Sequence, residues 1–190
     1  MRPDYPVIDA HVHIMPWEQV RPDAAARMAA GRKDFDEIQA ICRDPYRLMA
    51  HMDERGIEKL VMINTGTSIF PRARNKYGDP LDIDDVIVDF PELKVILAHG
   101  GRPLWMDTAL FLLRRSRNVI LDISSVPPKN LLTYFPWLER VADQAIFGSD
   151  WPGPNVMDLG QNVEDFYALP LSAEAKRKIL RDNAKLIFDW

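Results

Sequence analysis

Short apolar runs alternate with longer segments of mixed polarity along this chain. In the runs at 6–14, 59–64, 94–99, 119–124 and 145–150, apolar residues follow one another instead of occupying every second position. Strands buried on both faces have this pattern, which is typical of a parallel sheet covered by helices. The sequence therefore predicts an α/β fold with a parallel sheet and about five strand–helix units.

The segments between these runs have features of helices. Apolar residues recur at helical spacing after Pro80, and the segment 105–117 is a further candidate. The segment 131–142 is another, although Pro136 must kink or split it. Ser172 is placed to cap a helix near the end of the chain.

The segment 15–44 differs from the rest of the chain. It follows the first predicted strand directly and has little sustained periodicity. An insertion at this point would lie over the carboxyl end of the sheet, where lids are common. We expect one domain over 1–190, with 15–44 as a lid-like insertion.

Composition and charge exclude several classes of function. A net charge of −4 gives no reason to expect binding to nucleic acid or to an anionic membrane surface. The one cysteine, Cys42, cannot form an internal disulfide and fits a reducing compartment. Neither a secretory signal nor a membrane span is evident, so the cytoplasm is the expected location.

Two histidines in the first apolar run are the first candidates for chemistry. His11 and His13 are two residues apart, so on a strand their side chains point to the same face. Two imidazoles in this arrangement can bind one metal ion. The alternative is a pair of core histidines whose nitrogens are satisfied by hydrogen bonds.

Two later runs each end in a polar residue that could join such a site. His99 precedes two glycines, and taken alone it could be structural or catalytic. Asp150 ends its run without a nearby opposite charge, and burial of a lone carboxylate is costly without a metal or histidine partner. Asp150 could alternatively cap a following turn.

Together these residues indicate a catalytic metal centre. His11, His13 and Asp150 would provide three ligands and leave a fourth position for water, which is the pattern of catalytic zinc sites. His99 could orient that water or move its proton. Weaker candidates are substrate-binding residues and one residue behind the site: Arg72, Arg74, Trp151 and Asp122.

Four motifs carry a resemblance to a known family. His-x-His after the first strand, Leu-Ala-His-Gly-Gly, Gly-Ser-Asp-Trp-Pro and the closing Ile-Leu-Arg-Asp-Asn-Ala occur in the order of the amidohydrolase-related branch of the amidohydrolase superfamily. This branch includes hydrolases and metal-dependent decarboxylases on a TIM-like (β/α) barrel. The resemblance implies His11, His13 and Asp150 as ligands of a divalent metal, with Zn²⁺ expected, and His99 as the acid/base residue.

The chain is shorter than this resemblance requires. A full barrel needs about 250 residues, and about three units are missing near Asn64, which stands where the family has another histidine. We therefore expect an incomplete barrel. Its open edges favour a homo-oligomer.

Three functions remain open at this point. The first is a metal-dependent hydrolase in which activated water attacks a carbonyl or related centre of a small molecule. The second is non-oxidative decarboxylation of an aromatic or unsaturated acid, which the basic residues near Arg72 favour. The third is a shortened, non-catalytic relative that acts as an interaction module.

Overall fold

The computed structural model describes most of the chain, in five stretches: 7–9, 22–54, 57–68, 74–150 and 158–188. The chain divides into two compact units, Met1–Leu60 and Val61–Trp190. His11, His13, Arg72 and Trp151 lie outside the described residues. The predictions about these four side chains therefore stay predictions.

The first unit contains a short parallel strand pair and a run of helices. Strand β1 (Val7–Asp9) pairs in parallel with the beginning of β2 (Ile57–Asn64), and Val7 lies opposite Ile57. The helices are α1 (Pro22–Ala29), α2 (Phe35–Arg43) and α3 (Pro45–Asp53). Two of these helices fall within the predicted insertion at 15–44, whose role as a lid stays a prediction.

The second unit is built on a parallel sheet. The end of β2 is followed in the sheet by β3 (Lys94–Ala98), β4 (Val119–Asp122) and β5 (Ala145–Ile146). Strand β4 pairs in parallel with both β3 and β5. The predicted parallel α/β organisation is confirmed. Strand β2 ends at Asn64 as predicted, whereas β3, β4 and β5 end earlier than predicted. After β3 and β4, the polar residues that end the apolar runs form tight turns instead of extending the strand.

Helices follow the strands as the sequence predicts. They are α4 (Asp84–Asp89), α5 (Met106–Arg115), α6 (Pro128–Tyr134), α7 (Leu159–Tyr167), α8 (Ala173–Arg177) and α9 (Asn183–Phe188). Pro136 separates α6 from the 3-10 segment Leu138–Gln144, which confirms the predicted split. The Ser172 hydroxyl accepts the Ala175 N–H and caps α8. In the part of the chain described, no helix is long and apolar enough to span a membrane.

The core of the second unit lies along its sheet. Val95, Leu97 and Leu121 of β3 and β4 are fully buried, as are Leu112 of α5 and Ile179 after α8. Burial of an aliphatic side chain of this size contributes about 1.5–3 kcal/mol. The apolar runs that marked the strands in the sequence therefore also form the centre of the fold.

Asn183, in the last of the four sequence motifs, is a buried polar residue that anchors the C-terminal helical segment. Its Nδ2 donates to the carbonyl oxygens of Ala142 (2.6 Å) and Ala145 (2.7 Å). The Asn183 side chain is only 6% exposed, so these hydrogen bonds are shielded from water. They attach the beginning of α9 to the first residue of β5.

We expect Asn183→Asp to lower the free energy of unfolding by about 2 kcal/mol or more. The new carboxylate would face two carbonyl oxygens that it cannot satisfy as a donor. Urea denaturation measures this change, with Asn130→Asp on the exposed side of α6 as the matched control. Equal stability of the two variants would contradict the anchoring role of Asn183.

Candidate active site

His99 lies in a tight turn directly after β3. His99, Gly100 and Gly101 have φ values of 65°, 56° and 73°, so the chain passes through the left-handed region three times in succession. The Thr65 hydroxyl after β2 holds this turn: it donates to the Ala98 carbonyl (2.7 Å) and accepts the Gly101 N–H (3.0 Å). The backbone of His99 is thereby fixed at the carboxyl end of β3.

Gly100 is required in this turn for steric reasons as well. A Cβ at this position would lie 2.5 Å from Leu121 Cδ1 and 2.8 Å from the Phe135 ring. Both of these side chains are fully buried. The turn that carries His99 therefore rests directly on the hydrophobic core.

A chain of hydrogen bonds connects His99 to a buried carboxylate at the end of β4. His99 Nδ1 is 2.9 Å from Ser124 Oγ, and this hydroxyl donates to Asp122 Oδ2 (2.6 Å). The Ser124 backbone N–H donates to the other oxygen, Asp122 Oδ1 (3.0 Å). Asp122 and Ser124 are 5% and 4% exposed, while His99 is half-buried. The imidazole is thus held through Nδ1, while the His99 residue remains partly exposed.

The surroundings of Asp122 act on its charge in opposite directions. Burial raises the pKa of this carboxyl, and the nearby Asp150 raises it further. The hydrogen bonds from Ser124 and the nearby His99 oppose that rise in pKa. His99 and Asp150 are therefore both close enough to Asp122 to interact with it electrostatically. This places the two predicted catalytic residues around one buried carboxyl.

Strained backbone occurs at the ends of three adjacent strands. His99, Ser125 and Asp150 have φ values of 65°, 62° and 63°, and they follow β3, β4 and β5 respectively. Each such residue costs on the order of 1–3 kcal/mol, and strain of this kind concentrates at functional sites. The strain marks the carboxyl edge of this sheet as the candidate active site.

Arg102 brings a positive charge to the same edge. Its Nη2 donates to Ser125 Oγ (3.0 Å). Its Nε atom is buried and makes no hydrogen bond with the part of the chain that the structure describes. A buried donor without a partner is costly, and a guanidinium is well suited to bind a carboxylate or phosphate. Arg102 is thus a candidate for binding an anionic group.

Comparison with known proteins assigns this chain to a family. A family model described as amidohydrolase matches residues 34–190. The chain belongs to the amidohydrolase family. No match to a curated protein was found.

The solved structures that resemble this chain include a barrel protein. An uncharacterised TIM-barrel protein from Bordetella bronchiseptica is 28% identical, with a TM-score of 0.60 over 77% of this chain. The match covers 50% of that protein, so the chain spans about half of its length. The predicted incomplete TIM-like barrel is thereby confirmed. A putative 2-pyrone-4,6-dicarboxylic acid hydrolase from Pseudomonas putida is 20% identical, with a TM-score of 0.47 over 75% of this chain and 67% of that one.

The described part of the chain contains some of the predicted site residues. His99 and Asp150 lie at the carboxyl edge of the sheet, whereas Arg74 is exposed just before a short 3-10 turn, Asn75–Tyr77. Asp150 is exposed, so the argument from a buried lone carboxylate does not apply to it. That argument applies to Asp122, whose burial is compensated by Ser124.

Sequence reasoning missed two residues of this site, Ser124 and Arg102. Ser124 is two residues after Asp122, a spacing at which an aspartate commonly accepts hydrogen bonds from the following backbone. Arg102 is three residues after His99, and its position depends on the turn geometry. Among the residues described, no group of three or more His, Cys, Asp or Glu side chains is placed to hold a metal ion.

We expect Asp150→Gly to be more stable than Asp150→Ala by about 1 kcal/mol, because glycine adopts a positive φ without strain. Both variants remove the carboxylate, so their difference isolates the strain of the backbone at this strand end. Thermal or urea unfolding measures the difference. If the alanine variant were as stable as the glycine variant, Asp150 would not be strained.

Proposed function

We propose that this chain carries the active site of a metal-dependent hydrolase of the amidohydrolase type that acts on a small molecule. The observation that supports it most is the strained carboxyl edge of the sheet. There His99 and Asp150 lie beside one buried carboxyl on strained backbone, which lowers the stability of the fold. Strain without a structural purpose is expected to be lost, so its presence at three adjacent strand ends favours a catalytic role.

His99 is the proposed acid/base residue. Its ring is fixed through Nδ1 by Ser124, which leaves Nε2 as the atom that can exchange a proton with a reactant. In a hydrolysis, His99 would accept a proton from the attacking water and return it to the leaving group. Asp150, exposed nearby, would help to orient that water.

Asp150 also fits the role of a metal ligand. Its carboxylate is exposed, and it makes no hydrogen bond or ion pair with residues of the described stretches. A complete ligand set needs residues from outside those stretches, where the family resemblance implies His11 and His13. When bound, Zn²⁺ or a similar divalent ion would supply Lewis acidity and lower the pKa of a water molecule.

A second candidate reaction is the non-oxidative decarboxylation of an aromatic or unsaturated acid. The buried Arg102 Nε favours it, because the guanidinium could bind the carboxylate of an acidic substrate beside His99. In that reaction His99 would give a proton to the carbon that loses CO₂. Both reactions would use the same site. In the hydrolysis, water attacks the substrate, whereas in the decarboxylation a proton is transferred to its carbon.

We expect the purified chain to bind about one zinc or similar ion per molecule, and Asp150→Asn to lose most of it. An amide oxygen is a poorer zinc ligand than a carboxylate. Elemental analysis by mass spectrometry measures the content, with the exposed Asp82→Asn as the matched control. His11→Ala and His13→Ala extend the same test to the two histidines implied by the resemblance.

The metal-loaded protein is then screened against two substrate sets. Esters, lactones and amides test hydrolysis, and carboxylated aromatics with CO₂ detection test decarboxylation. Turnover that disappears in His99→Gln and Asp150→Asn but persists in Asp82→Asn would support the proposal. A folded chain that binds no metal and converts no substrate would favour the non-catalytic interaction module instead.

A further inference from the structure

The residues behind His99 determine which of its ring nitrogens is available for chemistry. We propose that Asp122 and Ser124 are positioning residues that keep the His99 proton on Nδ1, so that Nε2 is presented as a proton acceptor. This inference rests on the proposed function for its catalytic consequence. The tautomer itself can be measured without any substrate.

The first step of the argument is the single proton of the Ser124 hydroxyl. Ser124 Oγ donates that proton to Asp122 Oδ2 at 2.6 Å, a separation typical of a hydrogen bond to an ionised oxygen. Only lone pairs of Oγ are then left to face His99 Nδ1, 2.9 Å away. A favourable contact between these atoms requires Nδ1 to carry a hydrogen.

A second acceptor points to the same tautomer independently. The Ser124 backbone carbonyl oxygen is 3.3 Å from His99 Nδ1. A carbonyl oxygen cannot donate, so an Nδ1 without hydrogen would place two lone pairs against each other. Ser124 therefore favours hydrogen on Nδ1 through both its side chain and its backbone.

The surrounding structure leaves Asp122 and Ser124 little freedom to move. Both are nearly inaccessible to solvent. A Cβ at position 148 would lie 2.5 Å from Asp122 Oδ1 and 3.0 Å from Ser124 Cβ, so Gly148 lets the segment that follows β5 pack directly against the pair. The Asp122–Ser124 pair is thus a rigid support that can orient the imidazole precisely.

The same geometry predicts what a neutral isostere at position 122 would do. In Asp122→Asn, the amide oxygen must occupy the Oδ1 site, because the Ser124 N–H donates there. The amide NH₂ then faces Ser124 Oγ and donates to it. The Ser124 hydroxyl must turn its proton toward His99 Nδ1, which forces the imidazole hydrogen onto Nε2. A comparable Asp→Asn change in serine proteases gives the wrong tautomer.

The test is long-range ¹H–¹⁵N NMR spectroscopy of the ¹⁵N-labelled full chain, at a pH where His99 is neutral. The His99 resonances are assigned by their disappearance in His99→Gln. We expect a protonated Nδ1 and an unprotonated Nε2 in the unmodified protein. A protonated Nε2 would overturn the proposal, since it would mean that Ser124 donates to His99 and Asp122 carries a proton.

Variants then test whether Asp122 acts through Ser124. Asp122→Asn should make the Nε2-protonated form the major tautomer, whereas Ser116→Ala, a change at the end of α5, should leave the tautomer unchanged. In a Ser124→Ala background, Asp122→Asn should have no further effect on the tautomer. An Asp122→Asn spectrum identical to that of the unmodified chain would refute the proposal. If Asp122→Asn fails to fold, the comparison of Ser124→Ala with Ser116→Ala decides: Ser124→Ala must weaken the preference for protonated Nδ1.

Kinetics separate this inference from the proposed function. On any substrate found by the screen, Asp122→Asn should lower kcat by about 10²–10⁴-fold with little change in KM, because binding groups are untouched. If Asp122→Asn switches the tautomer but the protein has no activity on any substrate, the positioning role is supported and the hydrolase proposal is rejected. Activity that survives a demonstrated switch would reject the catalytic consequence inferred here.

Discussion

The parallel pairing of β3, β4 and β5 is the constraint on which the site depends. Parallel strands in adjacent positions bring their carboxyl ends to one edge, so residues that are far apart in sequence become neighbours. Here Ala98 pairs with Asp122, and Asp122 pairs with Ile146. His99 and Asp150 follow these strands within a few residues. A shift in register at β4 would separate Asp122 from both of them.

The site is costly for the fold, and the structure shows where that cost is offset. Asp122 is buried, which raises its pKa, yet Ser124 gives a hydrogen bond to each of its oxygens. The His99 turn is strained but is held by Thr65 and rests on the core. The buried Arg102 Nε has no hydrogen-bond partner among the described residues, whereas the exposed Asp150 needs no such partner.

The sequence predicts the fold well because the relevant signals are local. Apolar runs mark buried strands, Pro136 must interrupt a helix, and Ser172 can cap one, each through short-range physics. His99 and Asp150 could also be identified, since they end such runs. The residues that contact them, such as Ser124, could not be identified from the sequence, because the contact between Ser124 and His99 depends on strand register and on three successive positive φ values. The sequence also did not reveal which carboxylate is buried: it is Asp122, whereas Asp150 is exposed.

The proposed function requires that a cation bind at the carboxyl edge of this sheet and be held by Asp150. Diffraction at the zinc absorption edge from crystals grown with Zn²⁺ tests it most directly. The account predicts a strong anomalous peak about 2.0–2.2 Å from an Asp150 carboxylate oxygen, on the side of the sheet edge occupied by His99. Zinc bound elsewhere on the chain, with Asp150 uncoordinated, would contradict it.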